Sequence, residues 1–462
     1  MTQPHPYIPA TDAEEQEMLE AIGVRSFEEL IKIIPPELRV KGELGLGPGH
    51  SEVEVSAELN RLAGMNRPAA AGICFLGGGA YDHYTPEVVK AIARRSEFYT
   101  AYTPYQAEAS QGTLQVMYEF QSLVCELSGL DVANASLYDG ASAAAEACSL
   151  ALGATGHEKI LLPETLRPHT RAVIDTYLQN RSAEIVSVGS RNGRVDMDDL
   201  AAKSAAAAGV VIQSPNVLGL LEDWAAARRA MTTEEAPSSG SGQALRHGSG
   251  QAFLIADADP LTLGFQESPG GAGADVYVGE GQSLGIPLSY GGPYLGLMAT
   301  KEKYIRRLPG RIAGRTVDRE GRPGFVMVLR TREQDIRREK ATSNICTNQG
   351  LMALWATVYL SLLGREGLQQ LARLCFDKSQ YLGRAIAGLP GFELPFGFGY
   401  VKEFVVRTPI PARDLRAKAE KEGFFMGVVT WQGEDLLQLA VTEKRTRAEM
   451  DRLVDFLGQA AS

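Results

Sequence analysis

No C-x-x-C pair occurs in the 462 residues, and the five cysteines, Cys74, Cys125, Cys148, Cys346 and Cys375, form an odd, scattered set. That argues against a disulfide framework and a thiolate zinc site and points to a reducing, cytoplasmic setting. Excess positive charge is missing too: 46 Lys and Arg stand against 56 Asp and Glu, a net −10, which disfavours a nucleic-acid surface. No uninterrupted apolar run approaches the roughly 20 residues that cross a bilayer, so no membrane is expected. The opening stretch MTQPHPYIPATDAEEQEML is acidic and has no apolar core, so it is not read as a secretory signal. The six histidines show no metal-ligand spacing. FLGGGAYDHY has glycines without the G-x-G-x-x-G order of a dinucleotide site. Metal and NAD chemistry therefore find no support.

What is present is an ordinary soluble composition, 44% apolar, with enough chain for two or three domains. Residues 1–71 read as a helical arm. Thr11 and Glu14 make a capping-box pattern before the stripe Met18, Leu19, Ile22, which ends near Gly23; Ser26 and Glu29 repeat it before Pro35–Pro36. Such an arm packs on its own body or on a partner. Residues 72–335 alternate helices with short β-rich runs (KILLP, AEIVSVG, GVVIQSP, AFLIADAD, ADVYVG, YLGLMAT), the pattern of a mostly parallel sheet covered on both faces. TPEVVKAIARR reads as a helix with Thr85 as N-cap, and TLQVMYEFQSLVCELSGL as one closing at Gly129. Residues 232–251 form a Ser/Gly-rich insert, expected as a mobile surface loop. Residues 336–462 read as a linking helix and a small α+β domain, whose last helix opens with Thr446 and Glu449.

Several stretches could carry chemistry. LYDGASAAAEA places a strand, a turn at Asp139–Gly140 and a helix opened by small residues, Ser142 among them. Free amides at such a helix start hold anions; small residues equally suit tight helix–sheet packing. Asp257 ends the apolar strand FLIADAD, at the edge where open α/β sheets bind ligands. It suits the partner of a pyridinium nitrogen in a pyridoxal phosphate (PLP) site, or a helix cap, and Asp259 competes for the role. FYTAYTPYQAEASQG (98–112) crowds Tyr99, Tyr102, Tyr105, Gln106, Glu108, Ser110 and Gln111 around Pro104. Tyrosines fit a substrate pocket or an interface better than a solvated loop. REKATSNICTNQ (338–349) sets Thr342, Ser343, Asn344, Thr347 and Asn348 beside basic residues, suited to a carboxylate, a phosphate or helix capping. His83 and His169 fit a pocket or a structural hydrogen bond.

The block FYTAYTPYQAEASQGTLQVMYEFQSLVCELSGLDVANASLYDGASAAAEA, with QSPNVLGLLED, YGGPYLGL and REKATSNICTNQGLMAL, closely resembles the N-terminal half of the glycine cleavage system P-protein. The similarity runs from MLEAIGVRSFEELIKIIP to the C-terminal domain, with the 232–251 insert as the departure. The resemblance implies an aspartate-aminotransferase-like α/β fold (fold type I) and two homologous halves, of which only the C-terminal one carries the PLP lysine. The length of this chain matches one half. VGEGQSLGIPLSYGGPYLGL (278–297) contains no lysine, and matching the shared proline at Pro287 puts Gln282 at the lysine position, where a carboxamide cannot form a Schiff base. The implied assembly is α2β2, with PLP in the beta partner and none bound covalently here. It decarboxylates glycine and passes the aminomethyl group to the lipoyl arm of H-protein. No residue of this chain is then catalytic; Tyr102, Tyr105, Gln106, Ser110, Asn344 and Thr347 are expected at the substrate or subunit interface, and Ser142, His169 and Asp257 as vestigial cofactor contacts. Two alternatives stay open: a purely structural subunit, and a self-sufficient PLP enzyme using another lysine such as Lys301.

Overall fold

The computed structural model describes Tyr7 and residues 10–42, 45–232 and 251–460, in two compact units, Met1–Arg67 and Pro68–Ser462. Apart from its end residues Thr232 and Gln251, the expected insert lies outside the described residues; those two ends meet, Gln251 Nε2 donating to Thr232 Oγ1 at 2.9 Å.

In the first unit, helix α1 (Asp12–Ile22) opens on the expected reciprocal cap. Glu14 N–H donates to Thr11 Oγ1 at 3.3 Å and Thr11 N–H to Glu14 Oε2 at 2.8 Å. It closes on Gly23 at φ 83, left-handed backbone that favours glycine. The repeat expected at Ser26 does not form: Ser26 makes no side-chain cap, and Glu29 accepts from Arg25 N–H at 3.1 Å instead. Only a four-residue helix, Phe27–Leu30, and a 3-10 turn fit before Pro35–Pro36. Helix α2 (Glu52–Ala63) went unread, although Ser51 and Glu54 build the same capping box. Its Val55, Leu59 and Leu62 form an exposed apolar stripe.

The second unit is built on a seven-stranded sheet of β1 (Val132–Ala133), β2 (Lys159–Pro163), β3 (Glu184–Val188), β4 (Ala207–Ser214), β5 (Phe253–Ala258), β6 (Val276–Glu280) and β7 (Gly296–Thr300), in the order β1-β7-β6-β5-β4-β2-β3. All run parallel except β7, which is antiparallel to both neighbours. Strands β4 and β5 are buried along their whole length, as continuous apolar runs under two helical layers require. Helix α3 (Gln111–Ser128) closes on Gly129 at φ 67. Helix α4 (Gly140–Thr155) is nearly all small and buried, which lets it lie close on the sheet: a Cβ added to Gly209 of β4 would sit 3.3 Å from Ala151 Cβ. Helix α5 spans Pro168–Leu178. In the helix at Glu87–Ala93 the N-cap is Pro86, not Thr85.

A hairpin, β8 (Ile312–Val317) with β9 (Pro323–Val328), precedes the long α6 (Gly350–Ala387). Gly364, at φ 61 and ψ −173, breaks α6 into two helical runs. Beyond it, β10 (Glu403–Val406), β11 (Gly427–Trp431) and β12 (Glu434–Ala440) pair antiparallel in the order β10-β12-β11. With α7 (Ala412–Lys421) and α8 (Arg447–Ala460) they gather a separate core around Phe404, Leu415, Leu437 and Leu453. Thr446 and Glu449 form the expected capping box ahead of α8. Among the described residues no helix is long and apolar enough to cross a membrane.

Candidate functional site

A cavity of about 360 Å³ opens at the carboxyl edge of the parallel strands, where open α/β sheets place their ligands. Gln213 comes from the end of β4, Asp257 from β5 and Glu280 from β6. Asp139 and Gly140 come from the start of α4, Arg167 and His169 from the start of α5, and a glycine-rich segment ending at Tyr81 closes one side.

The start of α4 could cradle an anion, but two of its first three amides already have acceptors from within. Asp139 Oδ1 accepts from Ser142 N–H at 2.7 Å, and Glu280 Oε2 accepts from Gly140 N–H at 2.9 Å. Glu280 Oε1 also accepts from Gln282 N–H at 2.9 Å and Leu295 N–H at 3.1 Å. Burial pushes the Glu280 carboxyl up to about 8 against those donors.

Gln282 is buried and does not line the cavity, whose wall passes from Glu280 to Ser283. Its Oε1 accepts from Tyr81 N–H at 2.8 Å, and its Nε2 donates to Tyr81 O at 3.0 Å and Ile286 O at 2.7 Å. The carboxamide thus pairs with the Tyr81 backbone as a strand neighbour would. Gln213 is a second bridge: its Oε1 accepts from Arg167 N–H at 3.0 Å, and its Nε2 donates to Asp257 Oδ2 at 2.5 Å. Burial pushes Asp257 up to about 6. Burial and the Arg167 charge lower His169.

Behind the cavity lies a network of buried charges. Arg167 Nη2 donates to the Tyr81 hydroxyl at 3.2 Å and to Glu403 Oε2 at 3.4 Å. Lys402, 1% exposed, pairs with Asp259 Oδ2 at 2.5 Å, lies 3.2 Å from His83 Nε2, and sits 3.7 Å from the centre of the Tyr81 ring. His83 Nδ1 is 2.7 Å from Glu443 Oε2. His83, Glu443 and Cys375 bring ligand-type atoms within 4.8 Å of one another, while the other ring nitrogen of His83 faces the Lys402 ammonium.

The residues singled out from the sequence fall in several places. Asp257 and His169 line the cavity; Ser142 does not, and its backbone N–H is capped by Asp139 Oδ1. Tyr102 and Thr347 share a second pocket of about 280 Å³ with Arg311 and Asn348. Tyr102 is 81% exposed, Tyr105 is half exposed with Arg311 and Arg330 over its ring at 5.7 and 5.2 Å, and Gln106 is exposed. Ser110 precedes α3 without a side-chain cap bond, and Asn344 lines a different depression beside Arg181. Lys301, the alternative lysine, follows the antiparallel β7 and so lies at the opposite edge of the sheet, paired with Asp275 Oδ1 at 2.7 Å. Sequence reading missed Glu280, Arg167, Gln213, Lys402 and Glu403. Glu280 carried the same signal as Asp257, an acid ending a buried strand; Arg167 stands two residues before His169; Lys402 and Glu403 carried no local signal.

PLP does not fit these donors. A phosphate at the α4 start would meet Asp139 and would have to displace Glu280 from Gly140 N–H, while the only side-chain nitrogen at position 282 is an amide committed to two carbonyls. The comparisons carry the rest. A family model described as glycine cleavage system P-protein matches residues 5–457. The chain is 50% identical over 456 residues, 98% of its own length and 99% of the relative's, to a probable glycine dehydrogenase (decarboxylating) subunit 1 of Prosthecochloris aestuarii. A crystal structure of glycine decarboxylase (P-protein) of the glycine cleavage system in inhibitor-bound form is similar at 39% identity and TM-score 0.87, over 98% of this chain and 100% of that one. A cystine C–S lyase with glycine covalently linked to its PLP cofactor shares 14% identity at TM-score 0.61, over 84% of this chain and 97% of that one. At that identity the likeness shows the fold alone, that of fold type I PLP-dependent enzymes.

Proposed function

This chain belongs to the glycine cleavage system P-protein family, and from that premise we propose that it is the subunit 1 (alpha) half of a two-chain glycine dehydrogenase (decarboxylating), holding no cofactor of its own. The observation that carries the reading is Gln282: its carboxamide is spent on Tyr81 and Ile286, so no amine is offered for an imine. The PLP then resides in a subunit 2 (beta) partner, in a cytoplasmic α2β2 assembly that decarboxylates glycine and hands the aminomethyl group to the lipoyl arm of H-protein. This chain contributes surface. Tyr99, Tyr102 and Tyr105 are exposed together, a concentration of large aromatic side chains that suits a partner face, and the Tyr102–Thr347 pocket opens there.

A self-sufficient enzyme is disfavoured by where the candidate lysines lie. Lys301 is tied to Asp275 at the far edge of the sheet, and Lys402 is enclosed by Asp259 and His83. The test is to purify the chain with and without its partner and to record cofactor absorbance, borohydride trapping and glycine–bicarbonate exchange. Alone it is expected to stay colourless with added PLP and to show no exchange; exchange should appear on adding the partner. A yellow chain that releases carbon dioxide from glycine unaided overturns the proposal.

A further inference from the structure

The cavity at the sheet's carboxyl edge has lost the features of a phosphate site but has kept two poles of opposite charge. We propose that it binds a small free α-amino acid, carboxylate against Arg167 and ammonium against Asp257. The inference concerns this chain's own cavity and goes beyond its place as a subunit.

The cationic pole is Arg167. Its side chain is 10% exposed, and its Nη2 is spent on Tyr81 and Glu403, yet its Nε is buried without a hydrogen-bond partner. An unpaired guanidinium N–H in such a place is costly and calls for an acceptor. Gly79 packs beside it: a Cβ there would stand in ordinary contact, 3.8 Å from both Arg167 Cδ and Nε and 3.7 Å from His169 Cε1. Arg167, His169 and Gly79 all line the same cavity. A carboxylate entering the cavity meets the guanidinium charge of Arg167, which lines it, and gains a charge-assisted contact.

The anionic pole is Asp257, held in place by Gln213. One carboxamide accepts from the Arg167 backbone and donates to the Asp257 carboxylate, so the two poles are fixed relative to each other. The remaining groups on the wall decide against other ligands. Asp139 takes the Ser142 N–H and repels a phosphate, and Glu280 blocks the Gly140 N–H; Asp259 is neutralised by Lys402. A volume of about 360 Å³ admits a small amino acid with room to spare, so selection rests on the two charged poles rather than on size. With Nη2 already spent on Tyr81 and Glu403, binding is weak, and the site responds to abundant rather than trace amino acid.

The experiment is calorimetric and ligand-observed NMR titration of the full chain without its partner, using glycine, alanine, acetate, methylamine, inorganic phosphate, PLP and magnesium chloride as separate probes. Saturable glycine binding, competed by alanine and at least tenfold tighter than acetate or methylamine, is expected, with no response to phosphate or PLP. Asp257→Asn, which keeps the acceptor for Gln213, should weaken glycine at least tenfold. Val173→Phe, on the cavity wall, should abolish it, with melting curves showing both variants folded. Glycine binding absent, or unchanged in both variants, overturns the assignment. So does competition by phosphate or PLP, or occupancy by magnesium instead. Glycine–bicarbonate exchange in the assembled complex reports only on the subunit reading, so either proposal can fail while the other stands.

Discussion

Glu280 holds a proton at neutral pH because burial outweighs the three N–H groups aimed at it, lifting its carboxyl from 4.5 to about 8. Between those values the folded chain keeps a proton that the unfolded chain has released. The stability this group contributes is therefore full below pH 4.5 and is lost as pH rises through about 8. Glu280→Gln preserves an acceptor for Gln282 and Leu295 but turns an NH2 on Gly140 N–H, at a cost of about 1–3 kcal/mol near pH 5. The gap to the parent chain should narrow towards about pH 9, as the parent alone loses its bound proton; urea unfolding at both values reads it, and an equal gap would refute the assignment. Gln282→Lys should destabilise the chain by about 2–4 kcal/mol, leaving Tyr81 N–H without its acceptor and burying an amine. It should produce no imine absorbance with added PLP, because the residue at 282 is buried and does not line the cavity. At this scale the sequence was half legible. Asp257 and His169 were found because a strand end and a helix start are readable; Glu280, at an equivalent strand end, was passed over beside the more conspicuous missing lysine.

The elements obey local rules where those rules have room to act. Thr11–Glu14 and Thr446–Glu449 cap as their pattern predicts, whereas Ser26–Glu29 does not, because Pro35–Pro36 leaves too little chain for a helix that could repay nucleation. The direction of β7 was invisible, since a strand buried on both faces reads the same forwards and backwards. It decides where Lys301 lies. In α6, Gly364 sits at φ 61 and ψ −173, backbone open almost only to glycine, and nothing lies within 4 Å of an added Cβ. Gly364→Ala therefore isolates a backbone effect, expected at about 1–3 kcal/mol of lost stability by thermal melting.

Across the whole molecule, the cavity joins groups that the chain keeps far apart: Tyr81, Arg167 and Glu403 touch although 86 and 236 residues separate Arg167 from the other two. No window of sequence could pair them, which is why the fold class was readable and the buried charge network was not. The tyrosine face is tested at this scale too. Tyr102→Ala should leave the melting temperature of the free chain unchanged, since the side chain is 81% exposed. It should weaken capture of the partner about tenfold, or about 1.4 kcal/mol, in sedimentation measurements; unchanged capture would move the interface elsewhere. Gln282, stitched to Tyr81 and Ile286, also bears on history. A single codon change to lysine would forfeit those three bonds before it offered any amine to a cofactor, so under the two-chain reading proposed above one substitution does not make the chain independent of a partner.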